Sequence, residues 1–276
     1  MMSKLRNSLC ELCTALIFLC GCSNEPLQPI RSGEIWPDNN GEHINAHGGG
    51  VMYYDGTYYW FGENKCDTTS SAMVGVMCYS SRNLTDWKNE GVALSVVDND
   101  SSDIARGCIL ERPKVIYNAK TGKFVMWFHL ELKGKGYAAA RAGVAVSDTP
   151  AGPYRFIRSG RVNAGKLPVN MDGQAVAVLD TLNAKNYEKW WTPEWTDAVN
   201  KGLIVKRDLD GGQMSRDMTL YVDEDGKAVH DFDDDGAAKD DDRHGNEHAE
   251  HEQAPMVIGD ADDAQDVIEA HEGVGH

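Results

Sequence analysis

The sequence predicts an all-β fold built from propeller-type blades, and three observations support this prediction. Hairpins rich in aromatic and β-branched residues recur along the chain, and the first two are each followed by a third strand and an aromatic residue that closes the unit. Corresponding positions of the two third strands, Val76 and Val144, are 68 residues apart. Repeated units of this size indicate four-stranded sheets that pack face to face around a central channel.

The first blade is predicted around a hairpin at residues 51–61. Two runs of aromatic and β-branched residues flank Asp55-Gly56, a dipeptide that favours the positive φ angles of a two-residue turn. Residues 75–81 predict the third strand, and Trp87 is expected to close the blade.

The second blade repeats this order, and a third blade begins after it. Its hairpin turns at Thr121-Gly122, the strand after the turn contains Trp127, which we expect to be buried, and Tyr154 is expected to close the blade. Residues 219–222 then lead into a turn predicted at Asp225-Gly226. Residues 41–230 therefore predict an incomplete propeller of about two and a half blades.

A helical insertion is predicted between the second and third blades, at residues 181–201. This segment loses the alternating pattern and gains helix-forming residues. It also contains Trp190, Trp191 and Trp195, which either stack on the rings of a sugar ligand or bury the insertion against the rim of a blade. The sequence leaves both interpretations open.

The N-terminus resembles a bacterial lipoprotein leader. Lys4 and Arg6 precede an apolar run of ten residues, 12–21, which is too short to span a bilayer about 30 Å thick. The run ends Leu19-Cys20-Gly21-Cys22, which resembles a lipobox with Cys22 as the lipidated residue. We expect residues 1–21 to be a signal peptide, residues 22–40 a tether, and the protein to be lipid-anchored in the bacterial cell envelope. The alternative is an ordinary secretory peptide cleaved elsewhere.

The formal net charge of -16 is concentrated at the C-terminus. Residues 231–276 hold 16 acidic and 2 basic side chains, whereas the rest of the chain is nearly neutral. No basic stripe is present to neutralise a phosphate backbone, so nucleic-acid binding is not expected. Residues 231–276 contain few apolar residues and predict a disordered acidic tail.

One stretch of this tail resembles a calcium-binding loop. Asp231, Asp233, Asp235 and Asp242 fall at ligand positions of an EF-hand-like pattern, although no amphipathic helices flank it. The alternative is a run of solvated carboxylates. No other metal or cofactor is expected, since Cys66, Cys78 and Cys108 are not at metal-ligand spacing.

Five segments between residues 41 and 227 stand in the order of a known enzyme family. They are HINAHGGG (43–50), YYWFGE (58–63), ERPKV (111–115), FVMWFH (124–129) and GQMSRD (212–217). Through these segments the chain resembles glycoside hydrolase family 43, in its exo-β-1,3-galactanase-like branch. This resemblance implies a five-bladed β-propeller that binds a sugar end-on at its axis, with an oligosaccharide or polysaccharide as its substrate.

The resemblance also assigns roles to carboxylates in these segments. It implies that Asp217 raises the pKa of the catalytic acid and orients it, and that Glu111 lies at the sugar-binding subsite. Glu63 is expected to accept hydrogen bonds from sugar hydroxyls, with His47 and Tyr137 near the same pocket. From the residues alone, an ion pair of Glu111 with Arg112 and a solvated Glu63 remain open.

The family places its general acid in a fourth blade, and this sequence lacks that pattern. Only Glu252-Gln253-Ala254-Pro255 faintly resembles the expected segment. We therefore expect a truncated chain with little hydrolytic activity, because general acid assistance typically contributes about 10²–10⁴-fold. Two functions stay open: exo-acting, inverting cleavage of β-1,3-galactan or related plant side chains, and sugar binding without cleavage or an inactive gene product. An α-L-arabinofuranosidase or β-xylosidase is the alternative within the family.

Overall fold

The structure is a computed structural model that describes residues 32–168, 171–187, 189–222 and 228–232. The predicted signal peptide, Cys22 and most of the tether lie outside the described residues. The same holds for Asp233, Asp235 and Asp242 of the predicted calcium loop, for Glu252 and for the turn at Asp225-Gly226.

The first sheet contains four antiparallel strands in sequence order. These are β1 (His47–Tyr54), β2 (Thr57–Glu63), β3 (Gly75–Ser81) and β4 (Lys88–Ser95). The β1–β2 turn has positive φ at both Asp55 (46°) and Gly56 (75°), as the sequence predicted. Trp87 is buried immediately before β4.

The second sheet repeats the same order of strands. It contains β5 (Ile109–Asn118), β6 (Lys123–Glu131), β7 (Ala140–Ser147) and β8 (Arg155–Gly160). At its first turn the Gly122 N–H donates to the Asn118 carbonyl over 2.8 Å, and Gly122 has a φ of 68°. Each unit is therefore a four-stranded blade.

A third sheet pairs β9 (Met218–Val222) with β10 (Ala228–Phe232). β10 extends two residues beyond the predicted domain boundary at residue 230, and Asp231 pairs with Thr219 in it. The first strands of the three sheets are neighbours, since β1 packs against β5 and β5 packs against β9. The all-β prediction, with two complete blades and part of a third, is confirmed.

Helices fill the segment between the second and third sheets. They are α1 (Gly173–Leu179), α2 (Pro193–Asn200) and α3 (Leu203–Asp208), so the helical segment begins before residue 181 and ends after residue 201. The apolar run in α1 carries no helical periodicity, but the Asp172 carboxylate caps this helix by accepting hydrogen bonds from two backbone N–H groups. No helix of the described residues is long and apolar enough to cross a membrane.

The three tryptophans of the insertion divide between its core and its surface. Trp195 is buried among the helices, whereas Trp190 and Trp191 are 50% and 64% exposed. Both exposed rings contact the Trp195 ring, at centroid distances of 6.2 and 5.0 Å. The structure therefore supports burial for Trp195 alone.

One hydrophobic core joins the first two blades. Phe61 and Cys78 of the first sheet and Met126 and Phe128 of the second belong to the same buried cluster. Trp127 is only half-buried, contrary to the prediction. Side chains alternate along a strand, so Trp127 lies on the other face of β6, where a smaller cluster of valines packs.

Candidate active site

The site forms where the two inner strands, β1 and β5, begin. The pairing of β1 with β2 shifts register between His47 and Gly50, and the pairing of β5 with β6 shifts register between Glu111 and Lys114. A bulge bends its strand and changes the direction of the side chains beside it. The two blades therefore present His47 and Glu111 from equivalent irregular positions.

Glycine is required in the β1 bulge because other backbone lies against it. A Cβ atom on Gly49 would lie 1.8 Å from the Phe61 carbonyl oxygen, and Gly48 has a φ of 58°. On β2, a Cβ atom on Gly62 would lie 2.1 Å from the Ala46 carbonyl carbon. The glycines thus let β1 and β2 approach closely beside Glu63.

Arg112 adopts an unusual backbone conformation in the β5 bulge. Its φ is 54°, in the left-handed region that is costly for residues other than glycine. Such strain persists where surrounding contacts hold the residue, and it is frequent at functional sites. The guanidinium of Arg112 forms an ion pair with the carboxylate of Asp217, which precedes β9.

Basic and acidic side chains alternate across the three sheets. His47 and Glu63 are directly opposite in the β1–β2 register, and His47 Nδ1 lies 2.6 Å from Glu63 Oε1. Lys65 Nζ lies 3.0 Å from Glu63 Oε2 and 3.1 Å from Glu111 Oε1. Lys65 therefore connects a carboxylate of the first blade to one of the second.

Arg112 continues this series to the third sheet. Its Nη1 lies 3.8 Å from Glu111 Oε2, so the ion pair that the sequence left open for Glu111 is present. We call the complete series the charge row, and its members are His47, Glu63, Lys65, Glu111, Arg112 and Asp217.

Two members of the charge row, Glu63 and Lys65, have shifted pKa values. Burial raises the pKa of Glu63, and the negative charge of Glu111 adds to this, although hydrogen bonds with His47 and Lys65 act in the opposite direction. Burial would lower the pKa of Lys65, but its hydrogen bonds to Glu63 and Glu111 outweigh this and raise it. The side chain of Asp217 is more accessible, with 57% exposed.

Tyr137 is connected to the site through Arg216, which precedes Asp217 in the sequence. The guanidinium carbon of Arg216 lies 3.6 Å from the centroid of the Tyr137 ring, a cation–π contact. Tyr137 lies in a short 3-10 helix between β6 and β7. All five residues that the resemblance assigned to the pocket therefore belong to one connected group.

Lys65 and its supporting residue Asn45 were not predicted. The Asn45 side chain donates to the Lys65 carbonyl and accepts from the Lys65 N–H, both over 2.8 Å. This pair of hydrogen bonds fixes the loop after β2. A lysine two positions after a strand-end glutamate carries no sequence signal, because such residues are usually solvated.

The arrangement suits binding of a polyhydroxylated ligand. Three carboxylates provide hydrogen-bond acceptors, and fixed cations between them hold those carboxylates in place. No group of three or more metal-ligating side chains occurs among the residues that the structure describes.

Comparison with solved structures finds the same fold in glycosidases. A glycoside hydrolase family 43 β-1,3-galactosidase with galactodeoxynojirimycin is 58% identical, with a TM-score of 0.71 over 75% of this chain and 60% of that chain. An exo-β-1,3-galactanase from Clostridium thermocellum is 34% identical, with a TM-score of 0.53 over 74% of this chain and 35% of that chain.

A third enzyme extends this set of similar structures. An exo-β-1,3-galactanase from Phanerochaete chrysosporium, in a glutamate-to-glutamine variant with β-1,3-galactotriose, is 30% identical, with a TM-score of 0.51 over 74% of this chain and 36% of that chain. The chain thus spans less than two thirds of the length of each of these relatives. No family model and no curated protein matches it.

Proposed function

Because the chain belongs to glycoside hydrolase family 43, we propose that it binds the terminal galactose of β-1,3-galactan or related plant side chains for exo-acting, inverting hydrolysis. Its relatives are five-bladed β-propellers, of which the described residues form two blades and the start of a third. The observation that carries the proposal is the charge row, which brings carboxylates of all three sheets together.

Each predicted residue has a role in this proposal. Glu63 and Glu111 accept hydrogen bonds from the hydroxyl groups of the sugar, and His47 holds Glu63 in place from the rim. Tyr137 forms part of the pocket wall beside Arg216. Asp217 orients the catalytic acid and raises its pKa through its own negative charge.

We assign the general acid to none of the three carboxylates of the charge row. Glu63 contacts His47 and Lys65, Glu111 contacts Lys65 and Arg112, and Asp217 contacts Arg112. A general acid must reach the leaving-group oxygen and donate a proton there, whereas each of these carboxylates is already held by cationic or imidazole side chains of the site.

The proposal is tested by binding and turnover with the full chain. We expect calorimetry to detect binding of galactodeoxynojirimycin, and Glu111→Gln to weaken it about tenfold or more, because a charge-assisted acceptor is lost. The matched control is Asp148→Asn, which removes a carboxylate that is 80% exposed and pairs only with Lys123 in the described structure. This control should bind like the unchanged chain.

Binding without turnover is the second candidate function. It is favoured by the ion pairs that engage all three carboxylates of the charge row, because a carboxyl group held by a cation is poorly placed to protonate a leaving group. Release of galactose from β-1,3-galactan above the level of Asp217→Asn would support hydrolysis, and binding with no release would support the non-catalytic alternative. Cleavage of an aryl α-L-arabinofuranoside, with no release of galactose, would assign an arabinofuranoside as the substrate in place of β-1,3-galactan.

We also propose export and lipid anchoring at Cys22, on the lipobox-like Leu19-Cys20-Gly21-Cys22 alone. Palmitate label should enter the protein when it is made in a bacterial host, and the protein should partition with membranes. Cys22→Ser should abolish both, whereas Cys20→Ser should retain them. Label that persists in Cys22→Ser would refute the anchor.

A further inference from the structure

A buried histidine outside the charge row lies beside it. His129 on β6 pairs directly with Glu111 on β5, so the two side chains lie on the same face of the second blade. His129 is only 1% exposed, and Ser215, which it contacts, is fully buried. A polar side chain at this depth needs hydrogen-bond partners on both ring nitrogens.

Both ring nitrogens of His129 have a partner. Nδ1 lies 2.8 Å from the Ser215 carbonyl oxygen, and Nε2 lies 3.2 Å from Glu131 Oε1. A carbonyl oxygen can only accept, so Nδ1 carries a proton and donates it to Ser215. Glu131 lies two residues along the same strand, with its side chain 13% exposed, and fixes the orientation of the ring.

The segment that receives this hydrogen bond leads directly to Asp217. At its start, the Gln213 N–H donates to the Val162 carbonyl over 2.8 Å. At its end, Arg216 packs on Tyr137 and Asp217 pairs with Arg112. The hydrogen bond from His129 to Ser215 lies between these two anchors and ties the segment to the interior of the second blade.

We propose that His129 is a positioning residue that holds residues 213–217, and hence Asp217, against the second blade through the hydrogen bond from its Nδ1–H to the Ser215 carbonyl. The consequence for ligand binding rests on the proposed function, but the positioning itself does not. Glu131 keeps the ring in the orientation that presents Nδ1 to Ser215.

Two substitutions of His129 distinguish the role of its Nδ1 from that of its Nε2. The amide nitrogen of asparagine lies as many bonds from Cα as Nδ1, whereas that of glutamine lies one bond further out, like Nε2. His129→Asn therefore retains the donor to Ser215, and His129→Gln does not. Val125→Ala is the control for general loss of stability, because Val125 is buried on the same face of β6, where it packs with Val144 and Val146.

Hydrogen–deuterium exchange of the full chain tests positioning without a ligand. We expect His129→Gln to raise exchange at residues 213–217 about tenfold or more relative to β1–β4, with His129→Asn within about threefold of the unchanged chain. Val125→Ala should leave that ratio unchanged. Equal exchange at residues 213–217 in His129→Asn and His129→Gln would overturn the proposal.

Glu131 provides a second test that does not alter the histidine. Glu131→Gln can donate to Nε2 and keep the proton on Nδ1, so residues 213–217 should stay protected, whereas Glu131→Leu should raise their exchange. The same exchange in both variants would overturn the proposal even if the His129 variants failed to fold.

Binding of galactodeoxynojirimycin shows whether the position of Asp217 matters for the ligand. His129→Gln should weaken binding about tenfold or more, and His129→Asn should restore most of it. If the unchanged chain fails to bind while the exchange pattern is as expected, the proposed function fails and the positioning role stands. If the unchanged chain binds and His129→Gln exchanges normally, the positioning role fails.

Discussion

Lys65 decides how the carboxylates of the charge row can lie so close together. Its ammonium contacts both Glu63 and Glu111, one from each blade, and its side chain is 28% exposed. Without this cation, two carboxylates of like charge would face each other, one of them with only 5% of its side chain exposed. The lysine therefore acts as the electrostatic link between the blades.

Lys65→Met should lower the free energy of unfolding by about 2 kcal/mol, because it leaves the buried Glu63 carboxylate with one fewer partner. Lys88→Met is the matched control. It removes a Lys–Glu ion pair in which the lysine is 65% exposed, and such pairs contribute less than about 1 kcal/mol. Urea unfolding measures both, and equal losses would contradict the role given to Lys65.

Glu63 should contribute a distinctive pH dependence to stability. Burial raises its pKa in the folded chain, so its contribution is fully present below the ordinary value of 4.5 and is lost as pH rises through the raised pKa. Glu63→Gln does not ionise. The unfolding free energy of the variant minus that of the unchanged chain should therefore become more positive as pH rises.

Glu90→Gln provides the control of opposite sign. Burial opposes ionisation of Glu90, but hydrogen bonds from Lys88 and Ser80 outweigh it and lower the pKa. Its contribution is present above the ordinary value and is lost as pH falls, so the same difference should become more negative with rising pH. Unfolding in urea at several pH values below and above 4.5 measures both slopes, and slopes of the same sign would refute the assignment.

At the scale of elements, the two bulged inner strands are the features that build the site. Each bulge occurs where a blade begins, and each places charged side chains at the same end of its sheet. The β1 bulge depends on glycine for space, whereas the β5 bulge holds Arg112 in the left-handed region. The two blades therefore bring their site residues to equivalent positions through different backbone conformations.

Gly49→Ala should destabilise the chain by about 2–4 kcal/mol, because its Cβ would lie 1.8 Å from the Phe61 carbonyl oxygen and backbone must move. Gly160→Ala in β8 is the control, since its Cβ would meet no atom within 4 Å. It should change stability by less than about 0.5 kcal/mol. Thermal unfolding compares the two, and a neutral Gly49→Ala would show that the bulge is not tightly packed.

At the scale of the whole molecule, the first two blades share one core and should unfold together. Cys78 lies in β3 and Cys108 immediately before β5, and both are buried in the cluster that joins the sheets. Burial raises the pKa of Cys78 and raises that of Cys108 to about 11, so neither thiol is reactive while the core is intact.

Iodoacetamide should therefore label Cys78 and Cys108 at the same slow rate, which is set by opening of the shared core. Cys66 is half-buried and serves as the internal reference, because hydrogen bonds involving Thr68 lower its pKa and it should react first. Peptide mass spectrometry after timed labelling separates the three sites. Labelling of Cys78 well before Cys108 would show that the blades open separately.

The amino-acid sequence by itself determined the blades, because the signals for their strands and turns lie within a few neighbouring residues. Asp55-Gly56 specifies its turn through backbone preferences of the dipeptide itself, and alternating apolar residues specify strands within a few positions. The same reasoning predicted a helical segment at residues 181–201, which is shorter than the segment that the helices occupy. It also predicted that Trp127 is buried, whereas this residue is half-buried. Those outcomes depend on caps such as Asp172 and on which face of β6 meets the larger core.

The tertiary structure alone decided how the site is connected. Glu111 and Asp217 are 106 positions apart in the sequence, and the link between them passes through Arg112, whose backbone conformation no local pattern predicted. Lys65 carries no sequence signal, because a lysine after a strand is usually solvated, and His129 lies in a segment of the family resemblance that gave it no role. Ion pairs and buried hydrogen bonds depend on distances between blades, and packing of the inner strands sets those distances.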